Sequence, residues 1–268
     1  MRSYRYFWSL LLIVVGVLLL LGNLGLLPAD IWPLIWPSIL ILLGVWILSR
    51  RLLGQGFRRT ELIAIPLEGA LDARIVVSHG AGRVTIGGVA DPGQLLSGSF
   101  GGGAEHTLNR SGTRLDLDLR AEVGRGFEYA FPWMWGPGSA LDWRFSLSGE
   151  VSLSLDVRTG ASELFLDLSQ LRLTELRLET GASSCDITLP ARAGLTRVSV
   201  KGGATIVRLH VPDGVAARII DRGGLADYNV NTARFPRTEN GYQSSDFDTA
   251  ENKVEIDAEV GLSSVSIL

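Results

Sequence analysis

Residues able to do chemistry are few in this chain, and they are scattered. His79, His106 and His210 are its three histidines, and none has another histidine or a cysteine at metal-ligand spacing. Cys185 is the one cysteine, so an intrachain disulfide is excluded. Asp116 and Asp118 raise the thought of calcium, but a carboxylate-rich loop with further oxygen ligands is missing. Residues 97–104 read SGSFGGGA, yet a phosphate-binding loop needs Lys-Ser/Thr after its glycines, and Glu105-His106-Thr107 follows instead. That segment is expected to be a flexible turn between strands. No Gly-x-Ser-x-Gly elbow is present. One catalytic arrangement stays open. Asp167, Asp186 and Arg208 could stack on one solvent-facing ladder, as carboxylates do in parallel β-helix enzymes acting on polysaccharides, and acid–base work would need them held together. The reading favoured here has no catalytic residue, no cofactor and no metal.

Most of these residues fall within a repeat, or in its register. In residues 151–230 a Gly-Ala-Ser/Thr step recurs at Gly160, Gly181 and Gly203, with Gly224 in weaker form. The spacings are 181 − 160 = 21, 203 − 181 = 22 and 224 − 203 = 21. A fixed period near 20 marks a solenoid, whose coils must stack to bury their apolar faces. Four positions after each glycine stand Leu164, Cys185, Val207 and Tyr228, and six after stand Leu166, Ile187, Leu209 and Val230. Polar residues lie between them, the alternation of a half-buried strand. Upstream the pairs Leu155 and Val157, Leu176 and Leu178, and Val198 and Val200 repeat it. Each coil is therefore strand, Gly turn, strand. The glycine permits a positive φ at the corner, and the following Ala keeps that corner narrow. Cys185 becomes a packing thiol in this register rather than a nucleophile, and His210 lies on the polar face. His79 directly precedes a turn glycine, for Gly80 is followed by Val84 and Ile86. Gly261 is likewise followed by Val265 and Ile267, while Leu115, Leu117 and Leu119 alternate with Asp116, Asp118 and Arg120, which face solvent. Residues 61–67 are expected to enter the first coil.

Charge divides the chain. Residues 1–60 carry six arginines against Asp30, 6 − 1 = +5, so the remainder carries −3 − 5 = −8. An acidic soluble part argues against nucleic acid. Residues 6–29 and 31–49 contain no charged side chain, and each is near the length of about 20 apolar residues that crosses a bilayer. Turn residues lie between them, so residues 1–50 read as a two-helix transmembrane hairpin, with a cleaved signal peptide as the weaker alternative. Arginines flank both outer ends, which places both termini and the β-domain in the cytoplasm. Arg50, Arg51, Arg58 and Arg59 form a basic linker (residues 51–60 with its flank). They are candidates for anionic lipid headgroups or an ordinary positive-inside flank. Residues 61–268 form the β-solenoid, interrupted by an insert at 122–142 that carries Phe127, Tyr129, Phe131, Trp133 and Trp135. That aromatic cluster is read as a cap on the solenoid, a segment dipping into the membrane interface, or a partner-binding patch. The fold expected is an N-terminal transmembrane α-helical hairpin followed by an all-β domain, a β-solenoid of period about 21.

Gly22-Asn23-Leu24-Gly25, a short loop, then Trp36-Pro37-Ser38-Ile39-Leu40-Ile41-Leu42-Leu43-Gly44 resembles the LiaI/LiaF-type transmembrane region of bacterial envelope-stress proteins. The Gly-Ala repeats resemble β-solenoid modules often attached to it, the toastrack type and the LiaF-like C-terminal domain. The resemblance implies a non-enzymatic protein of the bacterial cytoplasmic membrane that modulates an envelope-stress sensor kinase. No functional residue is carried over from it. The competing class is a self-assembling, bactofilin-like scaffold. The chain ends at Leu268 within a strand, and a free strand edge there would allow self-association.

Overall fold

The computed structural model describes residues 60–121, 141–221, 227–261 and 263–268. The expected hairpin, the linker arginines, the Gly224 corner and the five aromatics of the insert lie outside the described residues. Among the described residues no helix is long and apolar enough to cross a membrane. The strands run β1 (Thr60–Pro66), β2 (Asp72–Val89), β3 (Gln94–Gly101), β4 (Ala104–Ser111), β5 (Arg114–Ala121) and β6 (Asp142–Leu147). They continue as β7 (Ser152–Asp167), β8 (Arg172–Thr188), β9 (Leu195–His210), β10 (Ala216–Asp221), β11 (Asp227–Val230), β12 (Arg237–Thr238), β13 (Gly241–Gln243), β14 (Lys253–Val260) and β15 (Ser264–Ile267).

Four long strands, β2, β7, β8 and β9, lie parallel side by side and set the architecture. Each passes through a glycine corner, so its two halves have different outer neighbours. The first half of β2 pairs with β5, and the second half with β6. At the other end β14 pairs with the first half of β9 and β15 with the second. Two walls result, with inward side chains from both forming one core. In one wall Leu164, Cys185 and Val207 align directly, as do Leu166, Ile187 and Leu209. In the other, Leu155, Leu176 and Val198 align, as do Val157, Leu178 and Val200. All twelve are buried. Burial of each such aliphatic side chain contributes about 1.5–3 kcal/mol, which is why alternation with period two dominates the sequence.

Four expectations are corrected. Chain order is not stacking order: β14 lies between β9 and β10, and β15 between β9 and β11. The final coil fits there because Val265 and Ile267 match the rungs of Val207 and Leu209 below and Tyr228 and Val230 above. The C-terminal strand is thus paired on both sides and offers no free edge. Residues 97–101 are strand, with Phe100 buried, and only Gly102 and Gly103 turn, at φ of 82° and 90°. Residues 60–66 do not continue a parallel coil, since β1 runs antiparallel to β3 at the border of its wall. Finally, Gly160, Gly181 and Gly203 are absent from the positive-φ glycines. A Cβ on Gly160 would lie 2.5 Å from the Gly80 carbonyl oxygen, and one on Gly181 2.7 Å from that of Gly160. Close approach of neighbouring backbones, rather than a left-handed turn, demands glycine there.

Candidate functional site

The insert has a defined place in this frame. Arg120 of β5 pairs with Ser78 of β2, and Asp142 of β6 pairs with Arg83. The four residues 79–82 that make the β2 corner are therefore matched, in the next coil, by residues 121–141. That is 141 − 121 + 1 = 21 residues where four suffice. Phe127, Tyr129, Phe131, Trp133 and Trp135 lie in this excursion, outside the described residues. Its described ends are Ala121, at the end of β5, and Leu141, which stands against Gly82, and β4 and β3 pair with β5 and β6 on the far side.

Beneath those ends lies an aromatic cluster that sequence reading missed. Trp143 and Phe100 are fully buried, 5.1 Å apart and near edge-on, and Phe145 stacks on Phe100 at 5.5 Å. Trp143 donates its Nε1–H to the Gly101 carbonyl at 3.2 Å, which satisfies the indole inside the core. The signal was present as Trp143, Phe145 and Leu147 in strict alternation. His79 packs on the other side of Trp143, ring centroids 4.8 Å apart. Its ring is 2 % exposed, and neither nitrogen has a hydrogen-bond partner of acceptable geometry. Burial pushes its pKa down to about 4, opposed in part by the nearby Leu141 carbonyl.

Of the other chemically capable residues, Asp167, Asp186, Arg208 and His210 share one outer face, and Cys185, His106, Asp116 and Asp118 lie elsewhere. Cys185 sits on its rung between Leu164 and Val207, fully buried, and burial pushes its thiol up to about 12. Asp186 and Arg208 do share a rung, together with Phe165, but Asp167 sits on the next one, beside Thr188 and His210. His210 Nε2 lies 3.2 Å from Asp186 Oδ1, while Asp167 accepts hydrogen bonds from the Ser169 N–H and hydroxyl. His106 is exposed on β4. Asp116 and Asp118 face solvent as expected and are occupied by Arg114 and Arg120.

The outer surface of the wall built from first halves is laced with opposite charges in register. Arg158 donates through Nε and Nη2 to the buried Asp156 at 3.1 and 2.8 Å, and Arg74 approaches the same carboxylate at 3.9 Å. Further along, Lys201 meets Glu259 at 3.0 Å, and Glu255 lies between Arg197 and Arg218. Among the described residues the cations named here are matched by carboxylates, unlike the clustered basic face that a phosphate backbone requires. Among the described residues no group of three or more His, Cys, Asp or Glu is placed to hold a metal ion.

Comparison with known proteins agrees with this geometry. Residues 6–48 match the LiaI-LiaF-like transmembrane region, so the protein is membrane-associated. A crystal structure of a candidate cell adhesion protein from Clostridium sporogenes shares the fold at a TM-score of 0.69 and 19 % identity, over 78 % of this chain and 98 % of that one. A candidate adhesin from Bacteroides fragilis aligns over 79 % of this chain and 98 % of its own at 6 % identity, but its TM-score of 0.28 carries no argument. No curated protein matches the sequence. Residues 55–210, more than half of the 268, match the N-terminal domain of toast_rack, DUF2154, and the chain belongs to that family.

Proposed function

We propose that the protein is a non-enzymatic, membrane-anchored β-solenoid that binds a protein partner, and that the partner is a sensor kinase of the cell-envelope stress response. The observation that carries this reading is the position of the aromatic insert. A corner that four residues can close in β2 is replaced by 21, five of them aromatic, between β5 and β6 in the adjacent coil. Exposed aromatic clusters on rigid supports are enriched at interfaces, where they supply large contact area at low entropic cost. The non-enzymatic reading is supported by the burial of the one thiol, Cys185, which sits on a packing rung. Arg50, Arg51, Arg58 and Arg59 would hold anionic lipid headgroups, each worth about 1 kcal/mol near the surface.

Photo-crosslinking from position 133 or 135 in intact membranes tests the insert. The expected product is an adduct with a second protein. Adducts with lipid alone would favour the membrane-dipping role, and links only within the chain would favour a cap; either contradicts the proposal. By the arginine rule the β-domain faces the cytoplasm. A reporter fused after Leu268 is then expected to be active on that side, and activity only on the outer side would remove the basis for contact with a kinase's cytoplasmic part.

A further inference from the structure

The inner side of the first corners carries polar groups that the protein itself leaves unanswered. His79, Thr159 and Thr180 occupy one rung position on three successive strands, each paired directly with the next. Thr159 Oγ1 and Thr180 Oγ1 are buried and have no hydrogen-bond partner, while the His79 ring has the Leu141 carbonyl near it, at a geometry short of a good bond. Ser162 Oγ, at the other side of the same corner, is also buried and unpartnered. The rings and hydroxyls are deep: His79 is 2 %, Thr159 9 % and Ser162 6 % exposed.

Corners farther along show how such hydroxyls are satisfied. Ser183 Oγ accepts the Ser162 N–H at 3.3 Å, and Ser263 Oγ accepts the Thr205 N–H at 3.1 Å. Ser162 does not repeat this toward Gly82, its outer partner, which has a φ of 129° and the Leu141 carbonyl standing where a Cβ would be. The break in the pattern thus falls where the insert is rooted. Beyond Thr180 the rung position is Gly202, whose missing side chain leaves room between the Thr180 and Thr205 hydroxyls.

Leaving a buried hydroxyl or imidazole N–H without a partner costs about 1–3 kcal/mol, so several in one place are seldom tolerated. Buried waters commonly serve such groups, each making about three hydrogen bonds. The spacing suits them. Adjacent strands lie about 4.8 Å apart. A water about 2.8 Å from hydroxyls on both spans that gap at an angle near 118°, close to its natural one. We propose that the inner face of these corners binds internal water between Thr159 and Thr180, with Ser162 alongside. That water ties β7 to β8 through hydrogen bonds where the apolar ladders stop.

The sign of a substitution separates this from a dry corner. Thr159→Val and Thr180→Val in the full chain remove a hydroxyl while keeping its shape. If waters are held there, each is expected to lower the folding equilibrium constant about five- to tenfold. An unchanged or raised constant overturns the proposal, since a methyl group is welcome where a hydroxyl has no partner. Should either variant fail to fold, a high-resolution crystal structure of the wild-type chain decides. Density about 2.8 Å from both Thr159 Oγ1 and Thr180 Oγ1 is expected, and a corner without it overturns the proposal.

Discussion

Replacing Gly160 or Gly181 with alanine is expected to destabilise the β-domain by about 3 kcal/mol, from the addition of one methyl group. The new Cβ would lie 2.5 Å or 2.7 Å from the carbonyl oxygen of the preceding corner glycine. Backbone is the obstacle, so no side chain can rotate away. Relief requires separating adjacent coils, which strains the ladders on both walls. The column predicts a graded series. Gly203→Ala, with its contact at 3.0 Å, should cost less, and Gly80→Ala, which meets no atom within 4 Å, should cost almost nothing. Urea midpoints of the full chain in detergent, followed by the β-sheet circular dichroism signal, give the order. Equal losses at all four positions would show that close approach is not what selects glycine.

The second large effect is acid sensitivity through His79. Its folded pKa of about 4 lies below the ordinary 6.5. Between those values the unfolded chain binds a proton that the folded chain refuses, so stability rises with pH across the window from about 4 to 6.5. It is lost as pH falls through the same window, and below pH 4 the loss from this group is complete. The full difference amounts to at most about 3 kcal/mol. His79→Leu is expected to remove that part of the slope, because no titrating group remains against Trp143. Parallel stability curves for the two proteins between pH 4 and 6.5 would refute the assignment to His79.

Several features were legible in the sequence for one reason: alternation and glycine spacing are local signals. Spacing alone puts Leu164, Cys185 and Val207 on successive rungs, and that rung makes the thiol a packing group. The order of stacking was not legible. Val265 and Ile267 satisfy a rung as well as Tyr228 and Val230 do, and a degenerate ladder cannot say which coil it lies against. The cause of the corner glycines was also hidden, since the clash that excludes a Cβ comes from a residue about twenty positions away. His79 looked like a turn neighbour because the ring that buries it, Trp143, arrives only after the insert. The aromatic insert itself stood out by composition. Its position at a corner emerged only from the pairing of β5 and β6 with the two halves of β2.

The repeated β-stack, on this account, supports a partner-binding aromatic insert between β5 and β6. Purification of the tagged full chain from detergent-solubilised membranes tests that most directly. A membrane sensor kinase is expected to copurify with the wild-type protein and to be lost with Trp133→Ser and Trp135→Ser, while the variant keeps the β-sheet signal and urea midpoint of the wild type. A kinase retained at full level by that folded variant, or no kinase with the wild type, would contradict it.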